Sequence, residues 1–178
     1  EITTRLVGSE MCIRDRHTIS PIFDEKSNIL ILGSFPSVLS RKSSFFYGHP
    51  KNRFWQVLSK ILNEKLPVTI REKKDLLLKN HIALWDVIAT CEIKGSADST
   101  IRNIVPNDLS IILNQVNINK IYVNGKTAYQ LYYKYIYKIT QKEAILLPST
   151  SPANASYSLD KLCEEWKMIK ENEYEHKN

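Results

Sequence analysis

Polar residues that could do chemistry stand in four short segments, each directly after an apolar run typical of a buried strand. The four segments are Ser34-Phe35, Asp86, Asn124-Gly125 and Ser149 to Asn154. They offer hydroxyls, carboxamides and one carboxylate. A carboxamide can accept a hydrogen bond from water and also donate one to a carbonyl. Such a set could orient a water molecule and donate to a leaving group. No metal-ligand set is visible in the sequence, so we expect no metal and no cofactor.

The elements that must position these segments follow from the periodicity of the apolar residues. Strands are predicted at 29–32, 81–87, 120–123 and 144–147, and helices at about 53–62, 70–80, 109–115, 127–137 and from 158 onwards. The segment 91–99 is predicted as a polar loop, and 100–106 is ambiguous. Alternating strands and helices predict an α/β fold, a three-layer α/β/α sandwich around a four-stranded parallel sheet. Ligands bind such sheets beyond the carboxyl ends of the strands, which is where the four polar segments lie.

Length, charge and cysteine content limit the class of protein. A chain of 178 residues is long enough for one domain with a sizeable core and too short to expect two. The net charge of +6 favours a polyanionic partner, although many basic proteins bind no nucleic acid. Three widely spaced cysteines without a C-x-x-C pair argue against a disulfide framework and for a reducing compartment, so we expect a cytoplasmic protein. No apolar run approaches the ~20 residues that span a membrane.

The first sixteen residues differ in character from the rest of the chain. The run LVGSEMCIRDR at 6–16 resembles a translated transposase sequencing adapter, and a disordered native leader is the alternative. We therefore expect residues 1–16 to be a non-native or disordered leader and residues 17–178 to form a single domain. The sixteen residues carry three positive and three negative side chains, so the charge of +6 belongs to the domain.

Three motifs follow one another along the chain: G-S-F-P at 33–36, H-P-K-N-R-F-W at 49–55 and L-P-S-T-S-P-A-N at 147–154. In this order they resemble the motifs of the uracil-DNA glycosylase superfamily. The second is similar to the mismatch-specific branch, and the third to the hypoxanthine-DNA (deoxyinosine) glycosylase branch. The resemblance covers about residues 28 to 168. It implies a monofunctional DNA-repair enzyme that hydrolyses the N-glycosidic bond of a deaminated base, above all hypoxanthine in deoxyinosine, and leaves an abasic site. Uracil or xanthine is the alternative substrate.

One position departs from the superfamily pattern. The third residue of the first motif is Asp or Asn in most members and handles the attacking water, but here it is Phe35, which cannot accept a hydrogen bond from water. Either the polar catalyst lies elsewhere, or the protein is a non-catalytic DNA-binding relative. The resemblance implies that Asn124 and Asn52 supply the catalyst. From the residues alone, Asn52 is a helix N-cap and Asn124 a turn residue in Asn-Gly.

The resemblance also implies the residues that bind the base and the duplex. Tyr47 would stack on the flipped base, and residues 151–154 resemble the loop that enters the minor groove. The full base-binding set is Gly33, Ser34, Phe35, Tyr47, Asp86 and Ser149, and the DNA-binding set is His49, Lys51, Arg53, Lys126, Ser151, Pro152, Ala153 and Asn154. His49 could instead be a structural hydrogen-bonding residue, and Asp86 a buried structural acceptor. The expected partner is double-stranded DNA containing a deaminated base, bound by a monomer with no membrane attachment. A nucleotide-binding protein is a weaker alternative, because no Gly-rich phosphate loop is present.

Overall fold

The computed structural model describes residues 3–7, 10–16, 19–93 and 101–171. Its strands are β1 (Thr3–Val7), β2 (Glu10–Arg16), β3 (Ile29–Gly33), β4 (Ile82–Asp86), β5 (Ile88–Ile93), β6 (Ile101–Pro106), β7 (Lys120–Asn124) and β8 (Ala144–Leu147). Its helices are α1 (Val38–Ser43), α2 (Phe54–Leu62), α3 (Ile70–Lys79), α4 (Ser110–Leu113), α5 (Lys126–Tyr135), α6 (Tyr137–Thr140), α7 (Leu159–Trp166) and α8 (Met168–Glu171).

The central sheet consists of the four parallel strands that the sequence predicted. Their order is β4-β3-β7-β8, so the chain starts in the middle of the sheet and extends it on both sides. All residues of β3 and β4 are buried, as expected of apolar strands covered on both faces. Gly33 pairs with Asp86, and Asn124 pairs with Leu147. The predicted α/β fold with a four-stranded parallel sheet flanked by helices is confirmed.

Aromatic side chains connect the helical layer to the rim of this sheet. Phe54, at the start of α2, is fully buried, and its ring meets that of Trp166 in α7 edge-on at 5.8 Å. The indole nitrogen of Trp166 donates to the carbonyl of Pro148, at 2.9 Å, directly after β8. Apolar burial alone has no preferred direction. The edge-to-face contact of the two rings and the hydrogen bond of the indole N–H do have one, so they fix how Trp166 is oriented. The packing therefore holds α2, α7 and the loop after β8 in one arrangement.

A second, antiparallel sheet was not predicted. Its order is β1-β2-β5-β6, and the pairing of β5 with β6 contains register shifts between Ile88 and Thr90 and between Thr90 and Glu92. The prediction of a polar loop from residue 91 is wrong for 91–93, which belong to β5. The ambiguous segment 100–106 forms β6 from Ile101. Bulges interrupt the period-two alternation by which a strand is recognised in a sequence. Residues 94–100 of the predicted loop lie outside the described residues.

The described part of the first sixteen residues consists of β1 and β2. β2 pairs with β5 from Ile13 opposite Ile93 to Arg16 opposite Thr90. The expectations that residues 1–16 are a non-native or disordered leader and that residues 17–178 form a single domain stay predictions.

A short helix, α1, lies in the segment after G-S-F-P, for which no helix was predicted. Ser37 caps it by accepting from the backbone N–H of Ser40, at 3.1 Å. Within the ranges that the structure describes, no helix has the length and apolar character needed to cross a bilayer.

Candidate active site

The ends of β3 and β4 bring Gly33 and Asp86 side by side. A Cβ at Gly33 would lie 2.3 Å from Asp86 Oδ1 and 2.9 Å from the Tyr47 hydroxyl oxygen, so a side chain at position 33 would displace both groups. The backbone N–H groups of Val87 and Ile88 donate to the carbonyls of Gly33 and Ser34, at 2.8 and 3.0 Å. Asp86 itself is only 3% exposed. These contacts fix the geometry of the rim next to the predicted base-binding residues.

Tyr47 is held at the rim by an aromatic stack and an unusual backbone conformation. Its φ of 52° is in the left-handed region, which is uncommon for a residue other than glycine. Its ring stacks on Phe54, with centroids 4.0 Å apart and planes 17° apart. Burial raises the pKa of the Tyr47 hydroxyl, and the nearby negative charge of Asp86 raises it further, while a hydrogen bond with Asn124 lowers it in part. The hydroxyl therefore stays protonated at neutral pH.

The loop that carries Tyr47 is supported from both sides. On one side, the indole nitrogen of Trp55 donates to the carbonyl of Phe46, at 3.3 Å. On the other, the hydroxyl of Ser40, in α1, accepts from the backbone N–H of Gly48, at 2.9 Å. Ser40 is 1% exposed, so this polar contact is shielded from water. The unpredicted helix α1 thus has a function in the site, because it positions the segment around Tyr47.

Asn124 lies at the carboxyl end of β7 and makes hydrogen bonds through both ends of its amide. Its Nδ2 donates to the Tyr47 hydroxyl, at 3.2 Å, and to Thr150 Oγ1, at 2.9 Å. Its Oδ1 accepts from the backbone N–H of Thr150, at 3.0 Å. The structure therefore joins the predicted catalyst Asn124 to the predicted base-stacking residue Tyr47. The turn-residue interpretation of Asn124 does not account for these side-chain contacts.

Asn52 is connected to Asn124 through Thr150. Asn52 Oδ1 accepts from Thr150 Oγ1, at 3.0 Å, and from the backbone N–H of Phe54, at 2.9 Å. The N-cap of α2 is Arg53, so the N-cap interpretation of Asn52 is wrong by one residue: Asn52 precedes the cap, and its second contact bonds the N–H of the first helical residue. Sequence reasoning did not single out Thr150, although it lies in the third motif between two predicted site residues. Thr150 is fully buried between the two amides, and the sequence carries no signal of that burial.

Arg53 directs its guanidinium at the loop after β8. Its guanidinium donates to the carbonyls of Ser151 and Asn154, each at 3.0 Å, and also to the carbonyl of Tyr157. Its backbone N–H donates to the carbonyl of Thr150, at 3.1 Å. An arginine whose donors are used in this way holds the loop after β8 in place. These contacts show that Arg53 anchors this loop, and its predicted contact with DNA stays a prediction.

The loop after β8 is also shaped by its own polar groups. Ser149 Oγ accepts from the backbone N–H of Ser151, at 3.1 Å, and Asn154 Nδ2 donates to the carbonyl of Ser149, at 3.0 Å. Gly125 adopts a φ of 97°, and a Cβ there would lie 3.0 Å from Ser149 Cβ, so the two strand ends approach closely. Pro152 and Ala153 are exposed at the tip of the loop. Residues 151–154, which were predicted to enter the minor groove, thus lie in one loop held by its own hydrogen bonds.

The remaining predicted residues lie around this network. The Phe35 ring is half-buried, and the guanidinium carbon of Arg41 lies 5.1 Å above it. His49 Nδ1 accepts from the backbone N–H of Lys51, at 3.0 Å, which is the structural role that the sequence offered as its alternative. The side chains of Lys51 and Lys126 are exposed. Among the described residues, no group of three His, Cys, Asp or Glu side chains could hold a metal ion.

A parallel α/β sheet with three motif loops at the carboxyl ends of its strands defines the class of protein to which this site belongs. Residues 20–172 match the family model of the uracil DNA glycosylase superfamily. With most of its length covered by that model, the chain belongs to this superfamily.

Individual relatives agree with this assignment. The chain is 35% identical over 136 residues to a hypoxanthine DNA glycosylase of Methanosarcina barkeri, a match that covers 75% of this chain and 85% of that protein. It is 36% identical over 150 residues to a hypoxanthine DNA glycosylase of Methanosarcina acetivorans, covering 83% and 93%. A solution NMR structure of a candidate uracil DNA glycosylase from Methanosarcina acetivorans superposes with a TM-score of 0.75 at 32% identity, covering 88% of this chain and 97% of that one.

Proposed function

We propose that this protein is a monofunctional DNA glycosylase that removes hypoxanthine from deoxyinosine in double-stranded DNA and leaves an abasic site. The observation that carries the proposal is the pair of amides at the strand ends, Asn124 and Asn52, joined through Thr150 and placed next to Tyr47. The names of the two Methanosarcina relatives point to the same substrate. The enzyme would act as a monomer without a cofactor. The free thiols of Cys91 and Cys163 fit a reducing compartment, the cytoplasm.

The mechanism begins with extrusion of the damaged nucleotide from the stack. Unstacking and unpairing cost a few kcal/mol and are easiest at a mispaired base. Phe54 covers one face of the Tyr47 ring, and we assign the other face to the flipped base. Stacking on an aromatic side chain is worth ~1–3 kcal/mol per base, enough to repay much of this cost.

Bond cleavage then needs a water molecule and a stabilised leaving base. The bond between C1′ of the sugar and the base nitrogen breaks through an oxocarbenium-like state, and the water oxygen forms a new bond to C1′. One proton of the water is released and the base leaves with a proton, so the reaction is a hydrolysis. Since Phe35 cannot hold the water, the Asn124 carbonyl is the acceptor that orients it. Asp86, buried beside Gly33, faces the same rim.

A non-catalytic DNA-binding relative is the second candidate, and the side chain at position 35 is the observation that favours it. A half-buried Phe35 under the Arg41 guanidinium provides a flat, cationic surface rather than an acceptor for water. Such a surface would still suit a flipped base. The two candidates differ only in whether the glycosidic bond is cut.

The test is incubation with duplexes that each carry one deoxyinosine, deoxyuridine or deoxyxanthosine, followed by alkaline cleavage of abasic sites. We expect the deoxyinosine duplex to be cut fastest under single-turnover conditions, and an undamaged duplex of the same sequence to stay intact. If the deoxyuridine or deoxyxanthosine duplex is cut faster, the preferred substrate is uracil or xanthine and not hypoxanthine. Binding of all the duplexes without cleavage of any would overturn the enzymatic proposal in favour of the binding protein.

A further inference from the structure

Thr150 is buried between the two amides on which the proposed function depends. Its side chain is 0% exposed, and its Oγ1 lies 2.9 Å from Asn124 Nδ2 and 3.0 Å from Asn52 Oδ1. We propose that Thr150 is a positioning residue that fixes which end of each amide is available to the substrate, so that Asn124 acts as an acceptor and Asn52 as a donor. This inference rests on the proposed function and assigns separate roles within it.

Two backbone N–H groups determine how the amides are oriented. A backbone N–H can only donate, so the atom that it contacts on a carboxamide must be the oxygen. Phe54 N–H identifies Asn52 Oδ1 in this way, at 2.9 Å, and Thr150 N–H identifies Asn124 Oδ1, at 3.0 Å. The Thr150 hydroxyl must then donate its hydrogen to Asn52 Oδ1. It follows that the hydroxyl accepts from Asn124 Nδ2, and the direction of every bond in the chain is set.

The remaining hydrogen-bonding capacity differs between the two amides. Both hydrogens of Asn124 Nδ2 are used, by the Tyr47 hydroxyl and Thr150 Oγ1, whereas Oδ1 accepts only from Thr150 N–H and keeps one lone pair. On Asn52 the situation is reversed. Its Oδ1 accepts from Phe54 N–H and from Thr150 Oγ1, while Nδ2 has no partner among the described residues.

These free positions match the two needs of a glycosylase. The free lone pair of Asn124 can accept a hydrogen bond from the attacking water. The free N–H groups of Asn52 can donate to an oxygen or nitrogen of the leaving base. Because no solvent reaches Thr150, water could not take over the contacts of its hydroxyl if that group were removed. Without the Thr150 hydroxyl, the two amides would keep their hydrogen-bonding groups but would no longer be held in a fixed orientation.

The kinetic test compares Thr150→Val, which keeps the shape and loses the hydroxyl, with Thr150→Ser, which keeps the hydroxyl. Thr150→Val should lower the single-turnover rate on the deoxyinosine duplex about tenfold, the factor for ~1.4 kcal/mol of barrier. Affinity for the duplex should be unchanged, and Thr150→Ser should retain most of the rate. Thr140→Val is the matched control, because the Thr140 hydroxyl bonds to the Tyr132 hydroxyl, at 3.1 Å, away from the site. A parental rate in Thr150→Val, or an equal loss in Thr140→Val, would overturn the proposal.

A double-mutant cycle tests whether Thr150 acts through Asn124. The combined loss of rate in the Asn124→Ala, Thr150→Val double variant should be smaller than the product of the two single losses, since one of the two amides that Thr150 positions is already absent. Independent, multiplying losses would show that Thr150 acts by another route.

A measurement on the wild-type protein keeps this inference separate from the proposed function. In protein labelled with 15N-asparagine, the side-chain NH2 hydrogens of Asn124 should exchange with solvent at least about fivefold more slowly than those of Asn52, the factor expected for one ordinary hydrogen bond. Asn52→Asp and Asn124→Asp assign the two signals. Faster exchange at Asn124 than at Asn52 would overturn the inference. If the exchange rates agree but no damaged duplex is cut, only the proposed function fails.

Discussion

Gly33 occupies a position where the addition of one methyl group has consequences for several site residues. In Gly33→Ala the new Cβ would meet Asp86 Oδ1 at 2.3 Å and the Tyr47 hydroxyl at 2.9 Å. Since both groups are packed in the site, we expect the variant to lose ~1–3 kcal/mol of unfolding free energy, as measured by urea denaturation, and most of its activity. An unchanged midpoint in Gly33→Ala would show that Asp86 and Tyr47 can move apart freely.

The proposed role of Asn124 is to supply the acceptor that Phe35 cannot provide. Asn124→Ala should reduce the single-turnover rate on the deoxyinosine duplex by ~10²-fold or more, the scale of losing one positioned group in a preorganised site. Its affinity for that duplex should change little, because Tyr47 and the exposed lysines remain. Asn52→Ala should also be slower, but its melting curve is needed alongside because Asn52 Oδ1 accepts from the backbone N–H of Phe54, the first residue of α2. A parental rate in Asn124→Ala would make Asn52 or Asp86 the leading candidate.

Tyr47 links the site to stability at high pH. Because burial and Asp86 raise the pKa of its hydroxyl in the folded state, its stabilising contribution is complete below the unfolded pKa of about 10 and is lost as the pH rises further. The difference in unfolding free energy between wild type and Tyr47→Phe should therefore be constant from pH 7 to about pH 9 and shrink above about pH 10. Chemical denaturation at each pH measures it. A difference that stays constant across the whole range would contradict the raised pKa.

At the scale of the elements, Arg53 connects the start of α2 to the loop after β8. Replacing it with Met removes the donors to the carbonyls of Ser151, Asn154 and Tyr157. Arg53→Met should lower the unfolding free energy by about 2 kcal/mol or more, since bonds to a charged donor are worth ~1.5–3 kcal/mol each. Lys51→Met, an exposed position two residues away, should stay within ~0.5 kcal/mol of wild type in the same denaturation experiment. If Arg53→Met and Lys51→Met lower the unfolding free energy equally, the Arg53 guanidinium does not stabilise the loop after β8.

The two N-terminal strands can be tested by deletion. The parallel sheet begins at Ile29, and the family model matches from residue 20 onwards. Removal of residues 1–16 should therefore leave the single-turnover rate unchanged and the melting temperature close to that of the full chain. A fall of several degrees would show that β2 stabilises β5, with which it pairs.

The sequence could predict those strands and helices that are encoded by a pattern of apolar residues within one short segment. β3, β4, β7 and β8 are short apolar runs, and their parallel order follows from the helices between them. β5 and β6 have no such signal, because bulges break their alternation and their pairing is non-local. The same limit applies in the site. Motifs indicated Asn124 and Asn52, whereas Thr150 and Arg53 gain their roles only from contacts across about a hundred residues of sequence.

At the scale of the whole molecule, charge and topology act together. The net charge of +6 gives the chain a general affinity for polyanions, but the fold decides where a duplex can bind. Lys51 and Lys126 lie next to the strand ends that carry the site, in the loop before α2 and in the first turn of α5. Lys26 precedes β3 and so lies at the opposite end of the sheet. The three side chains are exposed and carry the same charge, but only Lys51 and Lys126 belong to segments next to the proposed DNA-binding rim.

This asymmetry leads to a prediction about the dependence of binding on salt. Lys51→Ala and Lys126→Ala should each weaken binding to damaged and undamaged duplexes by the same factor, because phosphate contacts carry no sequence information. Each should also reduce the slope of log affinity against log salt by about one. Lys26→Ala removes the same charge and should leave both affinity and slope unchanged. Fluorescence anisotropy at several salt concentrations measures all three variants. A loss confined to the deoxyinosine duplex would mean that these lysines contact the base, and an equal loss in Lys26→Ala would mean that net charge alone, rather than the rim, determines the affinity.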